Sequence, residues 1–149
     1  MATAKETRAE KPKRAAKKQK FIVTRGKRKE AIARASIRPG SGKISVNGLL
    51  LDALNSPFVR QVIREPMKFY DASSTVDIDI NVRGGGVMGQ AQAARTAIAR
   101  ALVSYSKSDE LKEQMLLYDR SLLVEDPRRV EPKKFKGPKA RARFTKSYR

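Results

Sequence analysis

The 149-residue chain contains no cysteine and no histidine. Without cysteine, neither a disulfide nor a thiolate zinc site can staple the fold, which fits a reducing compartment. Without histidine, the usual general base and the commonest metal ligand are missing, and with them Ser-His-Asp and Cys-His catalysis and most zinc chemistry. Negative charge is scarce, with 15 Asp and Glu against 34 Lys and Arg. No apolar run approaches the roughly twenty residues of a membrane span, and the charged N-terminus lacks the apolar centre of a signal peptide. The expectation is a soluble, intracellular protein with no cofactor, no metal and no small-molecule substrate.

What is there is positive charge, and it is unevenly placed. Residues 1–20 carry eight basic and two acidic groups, residues 21–126 sixteen and twelve, and residues 127–149 ten and one. A nearly balanced middle can fold without severe self-repulsion, and the two cationic ends seek a polyanion, nucleic acid first. Three regions follow: a basic, disordered extension over residues 1–20, a globular domain over 21–126, and an extended basic tail over 127–149. The extension reads as a phosphate-binding arm or as a solvated basic tail.

Within the domain, alternation predicts strands. Phe21-Ile22-Val23 starts the first, followed by the basic run Thr24-Arg25-Gly26-Lys27-Arg28-Lys29. From Ala31 to Arg38, Ala31, Ala33, Ala35 and Ile37 share one face while Ile32, Arg34, Ser36 and Arg38 share the other. Alanines that small imply a helix packed close against them. Pro39-Gly40-Ser41-Gly42 is expected to close a hairpin with the strand Lys43 to Val46, and Asn47-Gly48 marks a second turn. Ser56 and Pro57 start a helix whose apolar face is Phe58, Val59, Val62 and Ile63, with Pro66 ending or bending it. The strongest strand places Val76, Ile78, Ile80 and Val82 inward and Asp77, Asp79, Asn81 and Arg83 outward, giving the sheet one packed and one wet face. A helix follows with Ala91, Ala94, Ile98, Ala101, Leu102 and Tyr105 in a stripe. Ser108 starts a last short helix.

The stretch Gly84-Gly85-Gly86-Val87-Met88-Gly89 joins that strand to that helix and formally satisfies a dinucleotide-binding fingerprint. A doubly wound sheet buries its strands on both faces, however, and the strand leading here exposes two aspartates and an asparagine. Two readings remain beside it: glycines that merely permit tight packing, and a backbone junction where Gly84, Gly85 and Gly86, with Arg83 and Arg95, dock on a nucleic-acid phosphate. Asp77 and Asp79 read as a solvated strand face rather than as a magnesium or acid-base pair. No catalytic constellation emerges. In the tail, Lys and Arg interleave with Phe135, Phe144 and Tyr148, a pattern suited to phosphate forks and base stacking, or to aromatic anchors folded back on the domain. Its 23 residues span roughly 75 Å at full stretch. Eight phosphate contacts there would give a log–log salt slope of roughly −6 to −7.

Several of these segments, in order and spacing, resemble the family of the universal small-subunit ribosomal protein number nine. They are Gly26-Lys27-Arg28-Lys29-Glu30-Ala31-Ile32-Ala33-Arg34, Ile37-Arg38-Pro39-Gly40-Ser41-Gly42, Val46-Asn47-Gly48, Val82-Arg83-Gly84-Gly85-Gly86 with Gly89-Gln90, and Asp126-Pro127-Arg128-Arg129-Val130-Glu131-Pro132-Lys133-Lys134. The resemblance runs from about Phe21 to Arg149. The ending Gly137 to Arg149, with Tyr118-Asp119-Arg120-Ser121-Leu122-Leu123, looks like the archaeal and eukaryotic branch. Bacterial members typically finish Ser-Lys-Arg, whereas Tyr148 is penultimate here.

The resemblance implies an α+β domain with a four-stranded mixed sheet backed by helices, like the second domain of ribosomal protein five, with basic extended N- and C-terminal tails. It implies a non-enzymatic constituent of the small subunit, cytoplasmic in the ribosome, whose body binds rRNA of the subunit head beside neighbouring head proteins. The expected rRNA contacts are Arg25, Lys27, Arg28, Lys29, Arg34, Arg38, Arg83, Gly84, Gly85, Gly86 and Arg95 in the domain. In the tail they are Arg128, Arg129, Lys133, Lys134, Lys136, Lys139, Arg141 and Arg143. The tip, Lys146, Ser147, Tyr148 and Arg149, is expected near the peptidyl-site tRNA. Outside the resemblance, the competing reading is a basic architectural DNA-binding protein.

Overall fold

The computed structural model describes residues 21–70 and 76–144; the basic extension 1–20, the link 71–75 and the tail tip 145–149 lie outside the described residues. Alternating residues build the strands where the pattern places them. Strand β1 is Ile22–Arg28, β2 Ala31–Pro39, β3 Ile44–Val46, β4 Leu49–Leu50 and β5 Val76–Arg83, in one sheet of order β1-β2-β5-β3-β4. The helices are α1 Pro57–Arg64, α2 Val87–Ser106 and α3 Asp109–Tyr118. The class is α+β and the sheet is mixed, as expected: β3 and β5 run parallel and the other pairs antiparallel. The sheet has five strands rather than four, because the two residues of β4 turn back at Asn47-Gly48 and pair with β3.

Alternation along β2 and β5 buries Ala31, Ala33, Ala35 and Ile37 together with Val76, Ile78, Ile80 and Val82 on a single face. Against that face lies α2, and its alanines explain how closely. Ala91, Ala93, Ala94, Ala97, Ala99 and Ala101 are all buried, so the helix is buried over more of its circumference than the predicted stripe. At β1 the approach is closest. The Thr24 hydroxyl donates to the Ala97 carbonyl at 2.8 Å, and a Cβ on Gly26 would come within 2.1 Å of the Ala93 oxygen and 2.6 Å of the Ala97 nitrogen. Backbone, not side chain, occupies the space where that Cβ would sit.

Helix α1 starts as expected, with Ser56 accepting the Val59 N–H at 3.5 Å and Pro57 in the first turn. Such a cap is typically worth about 1 kcal/mol. Its inward face is Val59 and Ile63, while Phe58 is exposed. One residue is 100° around a helix, so a side chain next to Val59 cannot share the face that the four-residue spacing of Val59 and Ile63 defines. Pro66 falls within a short 3-10 turn, Glu65–Phe69, that bends the chain away from α1. Ser108 caps α3, accepting the Leu111 N–H at 3.4 Å, and Leu111 and Met115 complete the core.

The hairpin expected between β2 and β3 does not form: β5 lies between them and pairs with both. Pro and Gly specify that the chain turns, but not which strand fills the place beside the turn. Asp77 supplies the missing specification. Its Oδ1 accepts the Ser41 N–H at 2.8 Å and the Lys43 N–H at 3.1 Å, so the loop arches over the start of β5 instead of closing on β2. Those two N–H groups, Lys43 first, hold the Asp77 carboxyl below its ordinary value despite some desolvation. Asn47 extends the same docking, since its Oδ1 accepts the Val82 N–H at 2.8 Å and its Nδ2 donates to the Val82 carbonyl at 3.1 Å.

Replacing Gly26 with Ala should force α2 away from β1 and destabilise the domain by about 3 kcal/mol, the upper end of overpacking costs. Urea unfolding would check this; a change below the error of the method would show that the seam yields.

Candidate nucleic-acid interface

Paired residues on neighbouring strands share a face, so the register assigns the wet side of the sheet residue by residue. At one end Lys27, Ile32 and Arg83 form a row, and next to it Arg25, Arg34 and Asn81 form another. Toward the other end come Val23, Ser36, Asp79 and Ser45, then Arg38 with Asp77. The face is therefore polarised. Arg38 lies 3.2 Å from an Asp79 oxygen and 4.0 Å from one of Asp77, so its charge is balanced. Arg34 and Arg83 are exposed and, among the described residues, have no carboxylate within ion-pair distance; Arg25 has Glu125 at 3.6 Å. Ile32, Arg34, Asn47, Asn81, Val82 and Arg83 line a hollow of about 270 Å³ at this cationic end.

The two aspartates of this face do more than solvate a strand. Asp77 holds the loop described above, and Asp79 accepts the Ser45 hydroxyl while pairing with Arg38. Among the described residues no group of three or more carboxylates gathers as a metal site would require.

Around the β1–β2 turn, Lys29 and the glycine junction approach one another. Arg28, Lys29, Glu30, Gly85, Gly86, Val87, Met88, Gly89 and Val130 line an open hollow of about 550 Å³. The junction's glycines differ in their reasons for being there. Gly84 and Gly85 have φ of +75° and +66°, and a Cβ on either would come within 2.9 Å of backbone at Glu30 or Ala31. Gly86 has φ −99° and would meet nothing within 4 Å. It stands at the N-cap of α2 with no side chain capping the first turn, which leaves the helix's leading N–H groups open to solvent. Packing explains two of the three glycines and leaves the third unexplained by the fold.

Arg95 and Arg28 occupy other settings. The Arg95 side chain is only 14% exposed; its Nε is 3.0 Å from a Glu65 oxygen, and its Nη2 donates to Asp119 and, at 3.2 Å, to the Ser121 hydroxyl. Burial pushes the Asp119 carboxyl upward, but the Ser121 hydroxyl and N–H together with Arg95 outweigh it and hold the group below its ordinary value. Tyr118 closes the cluster, donating to Glu65 at 3.0 Å while its ring tilts against Phe69 at 5.0 Å. This Arg95 ties α2 to the turn that follows α1 and to the segment that follows α3; it does not present an exposed guanidinium to a phosphate. Arg28 is paired with Asp126 at the root of the tail.

Asp126 is the residue that sequence reasoning passed over. Besides Arg28 it holds Arg128, accepting its N–H at 2.8 Å and its Nε at 2.9 Å, so one carboxylate ties the start of the tail to the end of β1. The signal was present in Asp126-Pro127-Arg128, since an aspartate that accepts the N–H two residues on is an Asx-turn. Arg100 secures the same exit, donating to the Leu123 carbonyl at 2.9 Å, to the Arg25 carbonyl at 2.8 Å and to Glu125 at 2.8 Å.

Residues 127–144 form no helix or strand, and their cations Arg128, Arg129, Lys133, Lys134, Lys136, Lys139, Arg141 and Arg143 are all exposed. The tail is not drawn out to full length: Arg141 forks onto Glu131, with Nε 2.9 Å from Oε2, and Arg143 donates to the Phe135 carbonyl at 3.1 Å. Lys146, Ser147, Tyr148 and Arg149 lie outside the described residues.

A cationic α+β domain with a polarised sheet face, an open glycine junction and an exposed basic tail has the form of a polyanion-binding module, and several of its carboxylates pair with arginines or bind loop N–H groups. Among the described residues no helix is long and apolar enough to cross a membrane. The family model described as ribosomal protein S9/S16 matches residues 26–149. The small ribosomal subunit protein uS9 of Picrophilus torridus is 48% identical over 130 residues, covering 87% of this chain and 98% of the relative. Those of Desulfurococcus amylolyticus and Methanothrix thermoacetophila are 47% and 46% identical over 131 residues, covering 87% of this chain and 94% and 99% of the relatives. The chain thus belongs to the ribosomal protein S9/S16 family, and it is a structural, non-enzymatic ribosomal protein. These archaeal relatives agree with the archaeal-like ending.

Replacing Arg95 with Ala strands the partly buried carboxylates of Glu65 and Asp119 and should cost about 2 kcal/mol, whereas Arg34→Ala should change stability by less than about 0.5 kcal/mol. Equal effects of the two variants in urea unfolding would contradict this division between structural and surface cations.

Proposed function

We propose that the chain is a constituent of the small ribosomal subunit whose body binds rRNA of the subunit head and whose tail runs toward the peptidyl-site tRNA. The observation that carries this reading is the polarised sheet face. Lys27, Arg34 and Arg83 hold positive charge on a surface where the neighbouring end is neutralised by the protein's own aspartates, so a phosphate backbone has one preferred place to lie. Arg25 and Lys29 widen that place, and the open N–H groups behind Gly86 give an adjoining phosphate a second anchor beside the rigid turn of Gly84 and Gly85. In the tail, Phe135 and Phe144 are 87% and 68% exposed among the lysines and arginines, which suits stacking on unpaired bases. The names of the relatives, all small-subunit proteins, support the same assignment.

Changing Arg34 and Arg83 together to Ala should leave unfolding unaltered but reduce the log–log salt slope for small-subunit rRNA by roughly 1.5 to 2, one phosphate per arginine. An unchanged slope and affinity would remove the sheet face from the interface. Gly86→Ser gives a sharper test, because serine is at least as good an N-cap as glycine and its hydroxyl occupies the N–H groups a phosphate would use. The domain should become no less stable, while rRNA binding weakens about fivefold, the effect of losing one hydrogen bond. If stability falls along with binding, or if binding is untouched, the junction is only a packing device. Removing residues 145–149 should leave subunit assembly intact and weaken tRNA binding at the peptidyl site; unchanged tRNA affinity in purified subunits argues against a tail that reaches it.

A further inference from the structure

The tail contains ten cations and a single acid, Glu131. That one carboxylate is occupied by the tail itself: Arg141 places Nε 2.9 Å from its Oε2 and Nη2 2.5 Å from its Oε1, a two-pronged fork across ten residues. An arginine presents the same fork to a phosphate. The pairing holds Glu131 below its ordinary value and Arg141 above its own.

Further contacts belong to the same closed form. The chain reverses at Phe135 and Lys136, with Lys136 in the left-handed region at φ +61° and its Nζ 5.8 Å from the Phe135 ring centre. Arg143 donates to the Phe135 carbonyl at 3.1 Å. A Cβ on Gly137 would come within 2.3 Å of the Ala142 oxygen and 3.1 Å of the Lys139 oxygen. A fully extended strand of tail brings neither oxygen near residue 137, so this close approach belongs to the closed loop.

We propose that Glu131 latches the tail: by standing where a phosphate would stand on Arg141, it keeps the tail folded on itself until RNA takes its place. The proposal rests on the reading that the tail binds RNA. Both partners of the fork are exposed, at 85% for the Arg141 side chain and 51% for that of Glu131. An exposed fork is weak, favouring the closed form by up to about fivefold. That is enough to discourage isolated contacts with any polyanion, and too little to resist an RNA surface that offers phosphates to several tail cations at once. The opening cost divides the tail's affinity for every RNA by the same factor, and only a surface that contacts several tail cations together repays it in full.

The lack of cysteine makes the test direct. Spin labels on Val130→Cys and Phe144→Cys in the full chain report the span across the loop. With neither RNA present the span should be short, and it should lengthen on adding small-subunit rRNA. Glu131→Gln should lengthen it without RNA and tighten binding to poly(U) and to the rRNA alike, by up to about fivefold. The exchange of both residues, Glu131→Arg with Arg141→Glu, keeps the net charge and should restore both the short span and the weak poly(U) binding. If Glu131→Gln leaves the span unchanged, or if the exchanged pair binds poly(U) as tightly as Glu131→Gln does, the latch is refuted. Substituting Lys133, Lys134, Lys136 and Lys139 by Gln in the full chain separates the two ideas. Unchanged RNA affinity there would overturn the tail as an RNA-binding element and the RNA-gated latch with it. Weakened affinity there, beside a span that the rRNA fails to lengthen in the chain with its lysines intact, would overturn the latch alone.

Discussion

The whole arrangement depends on how near α2 can come to the sheet. Gly26 has no side chain, Ala31, Ala33 and Ala35 have almost none, and α2 answers with alanines, so helix backbone meets strand backbone directly. That seam packs one long helix against β1, β2 and β5. The opposite face is left open, and the strand-to-helix junction at Gly84–Gly86 is pulled against the β1–β2 turn. A bulkier seam would lift α2 and separate the two cationic elements that now lie side by side.

The second constraint is the scarcity of acid. With 15 carboxylates for 34 cations, where each carboxylate goes decides which arginines serve the fold and which face outward. Glu65 and Asp119 take Arg95, Glu125 takes Arg100, and Asp126 takes Arg28 together with Arg128. Arg38 is balanced by the aspartates of β5. Among the described residues these pairs leave Lys27, Arg34 and Arg83 together at one end of the sheet, and most of the tail's cations, without a carboxylate partner. The candidate interface is thus defined as much by where the acids are as by where the cations are.

Much of this was legible along the chain. Period-two alternation marks β2 and β5 with the right inward residues, because side-chain direction in a strand is a local property. Ser56-Pro57 and Ser108 mark two helix starts for the same reason. The small alanines of β2 foretell a close helix, and β5 reads correctly as a strand with one wet side. The hairpin between β2 and β3 was misread because Pro39-Gly40-Ser41-Gly42 encodes a reversal and nothing more. The partner is selected by Asp77 and Asn47, whose hydrogen bonds cross more than thirty residues. Phe58 was misplaced because a helix has an apolar face only relative to what it packs against.

For the candidate interface the division is similar. Charge totals and the tail's composition follow from the residues themselves, since net charge does not depend on folding, and the ordered motifs were enough to point to the family. Whether a particular arginine is available to a partner does depend on folding. Arg34 and Arg95 look alike in sequence, yet one stands on an open strand face and the other is enclosed between Glu65 and Asp119, because availability is fixed by the carboxylates that tertiary contacts bring near. The same holds for the glycines: three in a row are visible to any reader of the chain, but only the folded backbone separates Gly84 and Gly85, which the turn requires, from Gly86, which it does not.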